Sequence, residues 1–284
     1  MATGKTTFPR LGSPELIAKK VGRRLRRDRE GVLEPPLPPV CPPGWRTAPP
    51  DFVGIGGQRC GTTRWFRLLE SHPKIVPSPV SKELHFFDRF YSGELTAADA
   101  EEYSRYFPRD DECRTGEWTP SYVAAPWLPA MLARAAPDAR LLVLLRDPVE
   151  RYLSGLQHNV WVAEQANLPL SRHAPIEAFA RGFYHAQLSN WLRCFDRSQL
   201  LVLQFERCAA EPLSELRRTL EFIGVSSEGF DPDLEAHPNH QPSKPTLAPE
   251  LRKSYVSAYA EDVKRLASEF PEIDLSLWPN FAQL

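Results

Sequence analysis

An α/β protein, with a mostly parallel sheet covered by helices on both faces, is predicted by three features of the sequence. Arg140 to Leu145 is a short, unbroken apolar run bounded by charge and proline, as in a strand buried on both faces. Asp51-Phe-Val-Gly-Ile-Gly-Gly57 is a second such run, and it ends in glycines. Between and after these runs lie stretches of helical composition, and strands alternating with helices imply parallel strands joined by crossovers.

The elements follow in chain order. After the strand at Asp51–Gly57, Thr62 to Ser71 reads as a helix with Trp65, Phe66, Leu68 and Leu69 on its core side. Arg114 to Thr119 is a short strand and Pro126 to Ala136 is helical in composition. The Arg140–Leu145 strand leads into a helix over Pro148 to His158, with proline in the first turn, where its missing N–H costs nothing. Helices at Pro175–Gly182 and His185–Phe195, a strand at Leu200–Phe205, and helices at Pro212–Ile223 and Pro249–Phe270 complete the chain.

Composition separates a leader from this unit. Of 29 prolines in 284 residues, ten fall in residues 1–50. The same stretch holds ten Lys/Arg against four acids, a charge of +6 in a chain whose net charge is −1. Residues 1–50 are expected to form a basic, proline-rich arm, with a short helix over Pro14 to Glu30 and extended chain over Leu33 to Pro50. A solvated tail is favoured over a nucleic-acid or membrane contact, and 51–284 is the catalytic unit. Lys+Arg 35 against Asp+Glu 36 argues against a protein built on phosphate-backbone binding. No run approaches the ~20 apolar residues of a membrane span. Five cysteines, odd in number and without a C-x-x-C, suit reduced thiols in a cytoplasmic protein.

Gly56-Gly-Gln-Arg-Cys-Gly-Thr-Thr63 joins a strand to a helix, the context a phosphate-cradling loop requires. Arg59 adds a cation and Thr62 and Thr63 add hydroxyls. The spacing from Gly56 to Gly61 mimics a Walker A loop, but Thr62 stands where the phosphate lysine would be. Arg146 follows the Leu141–Leu145 run where a Mg²⁺ carboxylate would be wanted. Arg146 lies at the carboxyl end of a strand, and Ser154 is two turns along the next helix; together they suit a second phosphate.

These segments resemble the PAPS-dependent sulfotransferases, in particular the branch of heparan sulfate and related carbohydrate enzymes. The resemblance rests on Arg59-Cys60-Gly61-Thr62-Thr63, on Arg146 with Ser154, on Ser81-Lys-Glu-Leu-His-Phe-Phe-Asp88, and on Gly182-Phe-Tyr-His-Ala-Gln-Leu-Ser-Asn-Trp-Leu192. It spans residues 51–278 and implies a P-loop-kinase-like sheet that binds 3′-phosphoadenosine-5′-phosphosulfate (PAPS) with no obligatory metal. By that resemblance Arg59, Cys60, Gly61, Thr62, Thr63 and Arg64 hold the 5′-phosphosulfate, and Arg146 and Ser154 hold the 3′-phosphate. Glu83 corresponds to the general base that deprotonates a hydroxyl acceptor, a carbohydrate or a small metabolite. Arg59 would stabilise charge developing on the bridging oxygen, with His85 and Asp88 orienting Glu83 or the substrate. Two departures stand out. Gly116-Glu117-Trp118-Thr119-Pro120 carries tryptophan where the branch has lysine, which places an aromatic beside the acceptor and suggests a less acidic one. The family's late phosphate loop has no clear match; Lys244 stands in that region as its substitute, and His237 and His240 lack a third metal ligand. The competing readings are a small-molecule P-loop kinase and a non-catalytic nucleotide-binding protein.

Overall fold

Strand β1 (Phe52–Gly56), strand β2 (Gly116–Trp118), strand β3 (Arg140–Leu145) and strand β4 (Leu200–Gln204) form one parallel sheet in the order β2-β1-β3-β4. They come from a computed structural model that describes residues 35–78, 80, 82–235 and 245–284. The helix expected at Pro14–Glu30 and the residues His237, His240 and Lys244 lie outside the described residues. Phe52 sits opposite Gly116 on one side and Arg140 on the other, and Leu141 to Leu145 run beside Leu200 to Gln204.

Alternate residues of each strand feed opposite cores, the period-two rule of strands. Val53, Ile55, Leu141, Val143, Leu145 and Val202 pack against helices α3 (Leu128–Ala135), α4 (Pro148–Gln165), α6 (Tyr184–Trp191) and α9 (Pro249–Glu269). Phe52, Leu142, Leu144, Leu201 and Leu203 pack against α1 (Thr62–Glu70), α7 (Phe205–Ala210) and α8 (Pro212–Phe222). Both faces are therefore covered, as the unbroken apolar runs predicted. Each leucine fully buried this way contributes about 1.5–3 kcal/mol.

Several boundaries differ from the sequence reading. The helix expected to end at His158 continues to Gln165. Helix α2 (Ala97–Ser104) was not expected; it buries only Tyr103 and starts on a capping box between Thr96 and Asp99. Helix α7 follows β4 with no intervening turn, so no glycine or proline announces it. Helix α5 (Ala174–Ala180) is close to its expected bounds. Within the expected arm, Arg46–Thr47 pairs with Pro108–Arg109, and Pro36 and Pro49 offer their carbonyls to Tyr106 and Arg109. Among the described residues no helix is long and apolar enough to cross a membrane.

Candidate active site

The loop after β1 is seated on the next strand, because Gly57 donates its N–H to the Leu144 carbonyl of β3 at 2.8 Å. Arg59 (φ 68°) and Gly61 (φ 87°) take left-handed backbone conformations. At Gly61 both conformation and space demand glycine: a Cβ would lie 2.9 Å from the Phe205 ring. Helix α1 starts at the next residue, so its unpaired N–H groups and the positive end of its dipole face the loop. Thr63 is exposed there.

Two cations meet over this loop. Arg59 donates from Nε to Ser154 Oγ at 3.3 Å, which joins the loop to the second turn of α4. Burial, and then the like charge of Arg146, hold the Arg59 guanidinium below its usual ionisation range. Arg146 is only 6% exposed, its guanidinium lies 4.5 Å from the Phe205 ring centroid, and its Nε is buried without a hydrogen-bond partner. Two desolvated guanidiniums, one with an orphaned donor, fit an anion with several oxygens, which would relieve the repulsion and accept the free N–H.

The backbone carrying Arg146 is fixed from three directions. Tyr184 donates its hydroxyl to the Arg146 carbonyl at 2.8 Å, and Asp147 donates its N–H to Glu206 at 3.2 Å. The Asp147 carboxylate caps α4 by accepting from Val149 and Glu150, and its other oxygen accepts from Asn280 N and Nδ2 at 3.0 and 2.9 Å. Trp278 completes the brace by donating from Nε1 to Glu206 at 2.9 Å.

A second group of side chains runs from the loop to Asp88. Lys82 Nζ donates to Thr62 Oγ1 at 3.3 Å and to Glu83 Oε1 at 3.0 Å. Glu83 Oε2 lies 3.4 Å from His85 Nε2, and His85 Nδ1 lies 2.9 Å from Asp88 Oδ2. Burial alone would lower the His85 pKa, but the hydrogen bonds and charges of Asp88 and Glu83 outweigh it and push it up to about 9. At neutral pH the imidazolium is thus held between two carboxylates, and Glu83 has a cation on each oxygen. Such a carboxylate is oriented, partly exposed and one step from the anion loop through Lys82 and Thr62.

Of the remaining sequence candidates, Cys60 is fully buried, and burial pushes its thiol up to about 12, so its part in the loop falls to the backbone. Arg64 donates to the Leu234 carbonyl at 3.2 Å. The structure therefore brings together Arg59, Thr62, Arg146 and Ser154 on one side and Glu83, His85 and Asp88 on the other, with Lys82 between.

Residues 49–240, more than half of the chain, match the sulfotransferase domain family. The chain belongs to the sulfotransferase family. It is 32% identical over 189 residues to the mouse (Mus musculus) heparan sulfate glucosamine 3-O-sulfotransferase 3A1, covering 62% of this chain and 46% of that one. The mouse 3-O-sulfotransferase 6 is likewise 32% identical, over 203 residues, covering 67% and 56%. The chain thus spans about half the length of the curated relatives it matches. The crystal structure of a sulfotransferase from Alicyclobacillus acidocaldarius superposes with a TM-score of 0.64 at 29% identity, covering 81% of this chain and 99% of that one.

Within this sulfotransferase domain, the acceptor-side position expected for Trp118 is not what the structure shows. Trp118 is fully buried and lies flat on Gly54, where a Cβ would fall 2.1 Å from its ring. Its Nε1 donates to the Gly56 carbonyl at 2.9 Å, so the indole supports the loop from below. The neighbouring Glu117 faces the opposite core and was missed as a site residue. Tyr103 and Thr119 donate to its carboxylate, and Leu84 N–H, between Glu83 and His85, donates to it at 3.3 Å. Burial raises its pKa against those hydrogen bonds. Asn280 and Trp278, which brace Arg146, lie outside the residues that match the sulfotransferase domain.

The His85 pKa makes a stability prediction. Its value in the folded protein is raised from the ordinary 6.5 to about 9, so its contribution is full below pH 6.5 and lost as pH rises through 9. The Tm of the wild type is expected to fall across that window more steeply than that of His85→Gln. Parallel Tm curves between pH 6 and 9.5 would exclude the ion-paired imidazolium.

Proposed function

We propose that the chain transfers a sulfuryl group from PAPS to a hydroxyl of a carbohydrate or small-molecule acceptor, with Glu83 as general base. The observation that carries this is the juxtaposition of two desolvated guanidiniums, Arg59 and Arg146, with Ser154 and the orphaned Arg146 Nε, beside a carboxylate flanked by Lys82 and His85. Arg59, Gly61, Thr62 and Thr63 would hold the 5′-phosphosulfate, and Arg146 and Ser154 the 3′-phosphate. The acceptor oxygen forms a bond to sulfur while the bond from sulfur to the bridging oxygen breaks. Its electron pair leaves with adenosine 3′,5′-bisphosphate, and the acceptor proton passes to Glu83. A hydroxyl has a pKa far above 7, so the base is needed as the new bond forms. Arg59 and the amino end of α1 would stabilise the charge on the departing oxygen. The relatives named as heparan sulfate enzymes support a carbohydrate hydroxyl among the acceptors. The kinase reading finds no support, since Thr62 and Arg146 occupy the positions where phosphoryl transfer wants a lysine and a carboxylate.

Calorimetry with adenosine 3′,5′-bisphosphate and with ATP tests the donor. Binding of the bisphosphate without Mg²⁺, at least tenfold tighter than ATP, is expected. Equal or tighter ATP binding would sink the reading.

A further inference from the structure

A cavity of about 450 Å³ lies between the turn at residues 122–126 and the facing sides of α5 and α6. Its walls are largely apolar, with Val123, Ala124, Phe183 and Ala186, and its two charged residues, Glu177 and Arg181, are opposite in sign. That volume is within the ~300–1,000 Å³ range of small-molecule sites. A polysulfated chain needs a surplus of cations, which a wall with one acid and one base does not supply.

The cavity is joined to the candidate site through packed and hydrogen-bonded side chains. Val123 packs against the last residue of β1, so closely that a Cβ on Gly56 would lie 2.8 Å from it. The turn continues from Thr119 and Tyr122, both hydrogen-bonded to Glu117, the carboxylate that holds the Glu83 segment. Helix α6 joins the two regions: Tyr184 reaches the Arg146 carbonyl, Trp191 donates to the Val123 carbonyl at 3.2 Å, and Phe183, Ala186 and Gln187 form the cavity wall. At that wall Gln187 donates from Nε2 to the Ala180 carbonyl at 3.2 Å, which fixes the amide against α5, and its Oε1 is shut off from solvent. The wall is therefore mostly apolar with its two charges balanced, the pattern that takes a neutral ligand.

We infer that this cavity receives the apolar body of a small, uncharged, hydroxyl-bearing acceptor, an inference that rests on the sulfotransferase reading above. The test compares a naphthol with a sulfated heparan-type oligosaccharide as acceptor, in the wild type and in Ala186→Trp. Ala186 is exposed on α6, so the tryptophan fills the cavity without entering the core. The naphthol is expected to be sulfated, and Ala186→Trp is expected to raise its KM at least tenfold while leaving the Kd for adenosine 3′,5′-bisphosphate unchanged. An unchanged KM for the naphthol, or turnover of the oligosaccharide alone, would overturn the inference. Calorimetry of the naphthol without donor separates this claim from its parent. If no sulfuryl transfer occurs to any acceptor, naphthol binding that weakens tenfold in Ala186→Trp still supports the cavity, and absent or unaltered binding refutes it.

Discussion

Arg146→Ala is expected to weaken binding of adenosine 3′,5′-bisphosphate on the order of 10²–10⁴-fold while changing binding of adenosine 5′-phosphosulfate, which lacks the 3′-phosphate, by about threefold or less. Two charge-assisted hydrogen bonds at ~1.5–3 kcal/mol each give that range, since ~1.4 kcal/mol is tenfold. Folding is expected to survive, because Arg146 is a buried cation whose Nε has no partner, and its removal leaves no new unsatisfied group. The surrounding turn is held through backbone atoms and Asp147, none of which the substitution touches. Arg146→Lys keeps the charge without the planar fork, so an intermediate loss is expected. Calorimetry of both ligands against both variants reads the result. Equal losses for the two ligands would show that Arg146 does not address the 3′-phosphate.

Glu83→Gln is expected to lower kcat by about 10²–10⁴-fold, the usual worth of a positioned general base. The amide keeps the size of the side chain, and its one carbonyl oxygen can still accept from Lys82 or from His85 but not from both. The bisphosphate sits on the other side of the site, so its Kd is expected to stay within about twofold. Loss of the carboxylate also removes one of the two anions that hold the His85 proton, and the His85 pKa is expected to drop from its raised value. An NMR titration of the imidazole reads this independently of turnover. A variant that keeps kcat within tenfold of the wild type would remove Glu83 from the reaction.

Where the sequence could be read, local physics was enough. The Leu141–Leu145 run is apolar at consecutive positions because both faces of β3 are covered, and that pattern is visible without any partner in hand. The glycine loop was legible for the same reason: glycines, Arg59 and the threonines are contiguous, and the strand and helix flanking them are adjacent in the chain. The roles of Glu117 and Trp118 were not legible. They are neighbours on a three-residue strand, and strand pairing alone decides which of them faces which core. Trp118 therefore became a support for the loop, and Glu117 became the buried carboxylate under Glu83. Helix α2 was missed because it buries one residue and has almost no apolar stripe, although its Thr96–Asp99 box was present to be read. The brace on Arg146 draws on Tyr184, Glu206, Trp278 and Asn280, partners so distant in the chain that no spacing rule connects them.

The contact between Asn280 and Asp147 joins residues 133 positions apart. A ribosome adds about 5–20 residues per second, so roughly 7–27 s separate the synthesis of the two partners. During that interval the nascent chain already carries the glycine loop, Arg146 and Ser154, but lacks the side chain that ties down the turn beneath the second cation. The brace beneath Arg146 can therefore be completed only after the C-terminal segment is made, and a nascent chain halted before that segment is expected to carry the sheet with this turn untied.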